Sequence, residues 1–254
     1  MQIYIKTPDQ IDLMRQSGHL LAQVHAELHQ ALRPGMSTLE IDTLGEELIR
    51  KMGGIPNCKN YEGFPASICI SVNEEVVHGI PSADRILQEG DIVTFDTGLI
   101  YKGWHSDAAR TWGVGEISPE KRKLIEVTKQ SFFEGIAKAR AGNRLYEISK
   151  AIDQYVTQYG YGIVHELTGH GIGQSLHEEP NVPNYRQIRR GIKLQKGMTI
   201  CVEPMIIMGK RHVGWLDDDW TVVTVDGSPA AHYENTIVIT DDEPEILTML
   251  EGEE

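Results

Sequence analysis

The stretch Asp91-Ile92-Val93-Thr94-Phe95-Asp96-Thr97-Gly98-Leu99-Ile100-Tyr101-Lys102-Gly103-Trp104-His105-Ser106-Asp107-Ala108-Ala109-Arg110-Thr111-Trp112 holds two strand-forming runs, Asp91–Ile100 and Trp104–Trp112. A turn around Tyr101-Lys102-Gly103 folds them into an antiparallel hairpin. That turn predicts Asp96 and Asp107 as cross-strand neighbours, within a residue if Gly103 forms a bulge. Side chains opposed in this way have Cβ atoms about 4.5–5.5 Å apart. Two carboxylates so placed repel unless a cation sits between them. Either aspartate alone would read as a solvated edge residue. The apolar and aromatic flanks Val93, Phe95, Trp104 and Trp112 favour partial burial instead, and metal ligation is the better reading of the pair.

Outward from the hairpin the chain repeats itself. Thr7-Pro8-Asp9 is a helix cap followed by proline, and Ile11, Met14, Leu20, Leu21 and Val24 recur at near-helical spacing as far as about Leu32, before Arg33-Pro34-Gly35. Ser37-Thr38-Leu39-Glu40 opens a second helix to about Lys51, and strand-like runs follow at Ser67–Val72 and Val76–Gly79. Beyond the hairpin, Ser118-Pro119-Glu120 starts another helix, to about Ala139. Arg140, Gly142, Glu147, Ile148 and Gly160 then echo Arg33, Gly35, Glu40, Ile41 and Gly53, each at an offset of 107. A constant offset across two helix pairs points to duplication. Strands at about Thr199–Glu203, Thr221–Val225 and Thr236–Thr240 complete the second half. The expected fold class is α+β: two pseudo-symmetric halves, about 1–113 and 114–254, in one catalytic domain spanning 1–254.

Composition narrows the function. The 254 residues carry a net charge of −13, which argues against nucleic acid as the main partner and suits cationic ligands such as metal ions and free amino termini. Three cysteines, Cys58, Cys69 and Cys201, are too few for a disulfide framework. With no secretory leader and no apolar run near the roughly eighteen residues of a membrane span, they point to a cytoplasmic protein.

The second half supplies the remaining ligand candidates. Gly169-His170-Gly171-Ile172-Gly173 is followed by His177-Glu178-Glu179-Pro180. The glycines bar a regular helix around His170 and let the backbone approach a neighbour closely. His165-Glu166 with His170 misses the zinc-protease helix signature by one residue, and the glycines do not match a dinucleotide fingerprint. Glu203 ends an apolar run before Pro204, and Glu234 precedes the run Asn235–Ile239. A lone histidine among glycines is usually a turn residue, and a lone glutamate a surface one. Converging with Asp96 and Asp107, they make a hard, oxygen-rich site with capacity for two divalent ions.

The runs Asn73–Pro81, Gly169–Gly173, His177–Pro180, Glu203-Pro204-Met205 and Tyr233–Ile237 resemble those of bacterial type I methionine aminopeptidases, and the likeness extends over nearly the whole chain. It implies a pita-bread fold around a central dinuclear site. The five metal ligands fall on Asp96, Asp107, His170, Glu203 and Glu234. The ions would be Fe, Mn, Co or Zn. Catalytic roles fall on His78, His177 and Glu203. The methionine pocket falls on Cys58, Tyr61, Phe64, Cys69, His78, Leu176, His177 and Trp220. Phe64 stands where tyrosine is usual and Leu176 where phenylalanine is frequent. The implied reaction is removal of the initiator methionine from nascent proteins whose second residue is small, by attack of a metal-bridged hydroxide on the first peptide bond. A monomer working at the ribosome exit region is implied too, although Gly209–Trp220, with Lys210 and Arg211 but also Asp217, Asp218 and Asp219, shows no basic loop for such docking.

Three other readings compete. Proline-directed relatives usually carry a large extra N-terminal domain. A type II enzyme would need a long insertion between His177 and Glu203, where only twenty-five residues lie. A binding protein of the same fold would have lost its ligands, and all five residue types are present.

Overall fold

The computed structural model describes residues 2–252. Four helices form where the caps stand: α1 (Pro8–Ala31), α2 (Thr38–Lys51), α3 (Pro119–Ile136) and α4 (Leu145–Val156). The first two open on capping boxes, in which the Thr7 and Ser37 hydroxyls and the Gln10 and Glu40 side chains satisfy one another's backbone N–H groups. Helix α3 uses Ser118 alone, and α4 starts at Arg144 with no side-chain cap. Gly35 and Gly142, and likewise Gly53 and Gly160, share left-handed φ values of 88°, 95°, 80° and 72°. The offset of 107 is therefore a repeat of backbone conformation as well as of letters.

The strands of the first half are β1 (Ile55–Pro56), β2 (Cys69–Val72), β3 (Glu75–Val77), β4 (Ile92–Tyr101) and β5 (Trp104–Gly113). Those of the second are β6 (Gly162–Ile163), β7 (Gly169–Gly171), β8 (Glu178–Val182), β9 (Thr199–Val202), β10 (Met205–Ile207), β11 (Val213–Trp215), β12 (Val222–Thr224), β13 (Ala230–His232), β14 (Glu234–Val238) and β15 (Glu245–Ile246). The main antiparallel sheet runs β1-β4-β5-β14-β9-β7-β8, with β2 also on β4 and β15 on β14. Two three-stranded sheets, β13-β10-β6 and β11-β12-β3, flank it.

Alternation along the strands separates core from site. Val93, Phe95 and Ala108 pack with Leu21, Val24, Leu28 and Ile41 of α1 and α2. Ile200, Val202 and Ile237 pack with Leu124, Phe132, Ile148 and Ile152 of α3 and α4. The intervening residues of the same strands face away from the helices.

Two expectations change. The hairpin turn is two residues long, Lys102 and Gly103, both at positive φ (50° and 81°), the mirror-image turn whose twist matches antiparallel strands. Tyr101 therefore faces Trp104, Asp96 faces Ala109 and Asp107 faces Gly98. The two aspartates are diagonal neighbours on one face, not an opposed pair. The second change is at Gly169-His170-Gly171, which is a strand, β7, pressed between β8 and β9. A Cβ on Gly169 would lie 2.4 Å from the Cys201 carbonyl oxygen, and one on Gly171 would lie 2.3 Å from that of Glu179. Only glycine lets those backbones close on the histidine.

Candidate metal centre

The register of the main sheet places the acidic residues in rows. Cys69 of β2 faces Asp96, Asp96 faces Ala109, and Ala109 faces Glu234. Continuing the pairing of Asn235 with Val202 by one residue brings Glu203 opposite Glu234. Two residues along, a second row runs from Gly98 through Asp107, Thr236 and Cys201 to His170, following the same pairings. Thr236 Oγ1 accepts from the Asp107 N–H at 3.0 Å, which confirms that register. Five residues scattered from 96 to 234 thus share one face in adjacent rows, and they line one cavity of about 150 Å³ with His78, Leu167, Thr168, His177 and Met205.

The site is dense in carboxyl groups that have no cationic side chain beside them to offset their charge. Asp107, His170 and Glu234 are all buried, at 6%, 6% and 2% exposure. Burial pushes the Asp96 carboxyl up to about 7. Burial, with the neighbouring carboxylates, also raises Asp107, Glu203 and Glu234 well above their ordinary range. Asp107 Oδ1 and Glu234 Oε1 have no hydrogen-bond partner among the described residues. Buried carboxylates without donors are costly, and cations would relieve that cost. His170 is set for the same purpose. Its Nδ1 lies 2.9 Å from the Gly171 carbonyl oxygen and donates to it, which leaves the Nε2 lone pair facing inward. Nε2 stands 3.7 Å from Asp107 Oδ2, 3.7 Å from Glu203 Oε1 and 3.9 Å from Glu234 Oε1.

Backbone anchors hold the rows from behind. Buried Arg110, on the opposite face of β5, donates to the Glu234 carbonyl at 2.5 Å and to Asn235 Oδ1 at 2.7 Å. Asn184 donates to the Glu203 carbonyl at 2.9 Å.

The two histidines expected to act without ligating stand at the rim. His78 follows β3 with φ 59°, a left-handed conformation uncommon outside glycine, and burial pulls its pKa down to about 4. His177 is exposed, its ring packs edge-on to His170 with centroids 4.2 Å apart, and its Nδ1 meets the Tyr61 hydroxyl at 2.7 Å. The expected methionine pocket divides in two. Phe64 and Cys69 cluster with Cys58 and Trp220, the Phe64 and Trp220 rings meeting edge to face at 5.2 Å, and Trp220 also faces His78. Leu176 and Tyr61 belong to a different apolar cluster, with Met14, Trp104 and Ile172.

Two further residues enter the centre. Cys201 puts its sulfur among the possible ligand atoms of Asp107, His170 and Glu234, and His232 does the same with Glu203 and Glu234. Each lies two residues before a candidate glutamate, the one signal in the sequence that could have found them.

The family model for metallopeptidase family M24 matches residues 12–241. A methionine aminopeptidase of Clostridium acetobutylicum is 53% identical over 249 residues, which is 98% of this chain and 100% of that protein. The chain belongs to metallopeptidase family M24, with the bacterial type I methionine aminopeptidases. A second methionine aminopeptidase, from Clostridium perfringens, is 50% identical over 98% of this chain and 99% of its own. The crystal structure of methionine aminopeptidase from Thermotoga maritima matches with a TM-score of 0.95 at 40% identity, covering 98% of this chain and all of that one. The fold is accordingly the pita-bread fold of methionine aminopeptidases, and membership of the family makes the chain a metal-dependent hydrolase that uses divalent ions. No helix among the described residues is long and apolar enough to cross a membrane.

Proposed function

We propose that the chain removes the initiator methionine from nascent polypeptides whose second residue is small. The observation that carries this reading is the pair of rows: four carboxylates, two buried and two half-buried, and one inward-facing imidazole on a single sheet face, beside an apolar cluster. Asp96, Asp107, His170, Glu203 and Glu234 would hold two divalent ions, of Fe, Mn, Co or Zn. Bound ions supply Lewis acidity and lower the pKa of water towards neutrality.

The chain's own groups do the rest. Cys58, Tyr61, Phe64, Cys69, His78, Leu176, His177 and Trp220 receive the methionine side chain, whose flexible thioether suits aromatic edges. Asp96 offers a carboxylate to the free α-ammonium, so blocked termini are refused. Glu203 takes the proton from the attacking water and returns it to the leaving amine. His177, oriented by Tyr61, donates to the carbonyl oxygen as negative charge develops there. His78 contacts the scissile amide nitrogen or its neighbour. The whole of 1–254 acts as one cytoplasmic, monomeric catalytic domain with halves about 1–113 and 114–254. The ribosome exit region is its working surface, with no direct reading of nucleic-acid sequence.

A Met-Ala-Ser peptide assay after chelation, then with each metal restored, tests the reading. Cleavage should vanish on chelation and return with at least one of the four metals. A Met-Leu peptide should be cut poorly. Full activity in chelator, or a preference for an Xaa-Pro peptide, would contradict it.

A further inference from the structure

The two glutamates at the middle of the site stand between two histidines, and the sequence motifs account for only one of them. On one side, His170 Nε2 faces Glu203 Oε1 at 3.7 Å and Glu234 Oε1 at 3.9 Å. On the other, His232 Nε2 faces Glu203 Oε2 at 3.6 Å and Glu234 Oε2 at 4.0 Å. Each glutamate turns one oxygen to each ring. The sheet explains the bracket. His170 lies in the row on one side of the glutamates, and His232, two residues before Glu234, lies in the row on the other. Its backbone is fixed there by reciprocal bonds with Thr111: the His232 N–H donates to Thr111 Oγ1, and that hydroxyl donates to the His232 carbonyl, both at 2.9 Å.

His232 is 1% exposed, and neither ring nitrogen has a hydrogen-bond partner among the described residues. A neutral imidazole carries one N–H and one lone pair, and burying both unpaired is costly. The nearer of the two carboxylate oxygens that face it is Glu203 Oε2. Their separation lies about half an ångström outside a formed hydrogen bond, a gap that a small rotation of the carboxylate about its soft terminal torsion closes. His232 is also missing from the wall of the cavity that Asp96, Asp107, His170, Glu203 and Glu234 line. It stands behind the glutamates.

We propose that His232 is a positioning residue, donating Nε2–H to Glu203 Oε2 so that only Oε1 faces His170 and the cavity. A carboxylate held at its far oxygen loses its rotational freedom before the ion arrives, and its inward oxygen is aimed at ion and water alike. The inference rests on the metallohydrolase reading given above and adds a residue to it.

The test compares wild type, His232→Ala, His232→Gln and His232→Asn, each stripped with chelator. Mn(II) is titrated in by calorimetry, kcat and KM are measured on Met-Ala-Ser at saturating Mn(II), and Tm is recorded for the stripped protein. The glutamine amide nitrogen falls near the place of Nε2, whereas the shorter asparagine cannot reach Glu203. His232→Ala and His232→Asn should lose about 10–100-fold in Mn(II) affinity, or a similar factor in kcat with KM little changed. His232→Gln should recover both to within a few-fold. If the alanine variant does not fold, the asparagine and glutamine pair carries the comparison alone. A change in Tm with affinity and kcat untouched would make His232 a space filler and overturn the proposal. So would a glutamine variant as poor as asparagine that also binds one ion fewer, because His232 would then be a ligand. A wild-type chain that binds no Mn(II) and cleaves nothing removes the parent reading. A competent wild type with indifferent variants removes this one alone.

Discussion

His177 and Asp107 separate two kinds of contribution at single residues. His177 is exposed, tied to Tyr61 and outside the carboxylate rows, so its imidazole is available to substrate. His177→Ala should lower kcat by about 10²–10³-fold, as for loss of one oxyanion donor, with metal content nearly unchanged. Elemental analysis beside steady-state kinetics checks this, and loss of the metal would reassign the residue. Asp107 is the opposite case. Burial, and then the neighbouring Asp96, raises its carboxyl well above the ordinary range, so in the metal-free chain its ionised form works increasingly against the folded state as pH rises. Asp107→Asn removes that penalty and should leave the chelated protein as stable as wild type or more so, while most metal affinity and activity disappear. A clear fall in the Tm of the chelated variant would show that the fold needs the carboxylate itself. Residue types at this scale were legible before the structure was: all five ligand candidates reach one cavity. His232 and Cys201 were not, because a buried histidine and a buried cysteine are ordinary core residues until the register shows which row they occupy.

Among the elements, the helices were the easiest to read. Thr7 with Gln10 and Ser37 with Glu40 write their own N-termini, and the expected starts agree with Pro8 and Thr38. Helix α3 stops at Ile136, three residues before the expected Ala139, because Lys138 and Ala139 bond back only three residues, to the Gly135 and Ile136 carbonyls. Short strands were harder. β7 has three residues, two of them glycine, and no alternation survives at that length. Its strand character comes from neighbours distant in sequence, the Cys201 and Glu179 carbonyls pressed against it. Gly169→Ala should therefore destabilise the protein by about 1–3 kcal/mol, as for overpacking a tight interior, and should weaken metal binding by displacing His170. Denaturant unfolding with a metal titration checks both, and a variant with wild-type stability would mean that β7 has room the structure does not show. The hairpin turn was misread for a related reason. Lys102 takes a left-handed conformation that its residue type does not advertise, and a one-residue shift in the centre of the turn moved Asp107 from opposite Asp96 to opposite Gly98.

In the whole molecule, the shared sheet gives the site its position: two helix pairs cover one face, and the seam of β5 with β14 carries acidic residues on the other. Charge is unevenly spread. The chain is at −13, yet residues 185–196 hold five Lys and Arg and no acid, with Arg186, Arg189, Arg190 and Lys193 all exposed beside Ile188. This basic stretch lies outside Gly209–Trp220. If the ribosome is the working surface, replacing Arg186, Arg189 and Arg190 by Gln should reduce salt-sensitive co-sedimentation with ribosomes and leave cleavage of free Met-Ala-Ser intact. Unchanged co-sedimentation would exclude this loop as the contact. The rows themselves are best tested by anomalous diffraction at the manganese edge from crystals grown with Mn(II). The expected result is two peaks about 3.5–4 Å apart, within bonding distance of Asp96, Asp107, His170, Glu203 and Glu234. Peaks elsewhere, or none between the rows, would contradict the account.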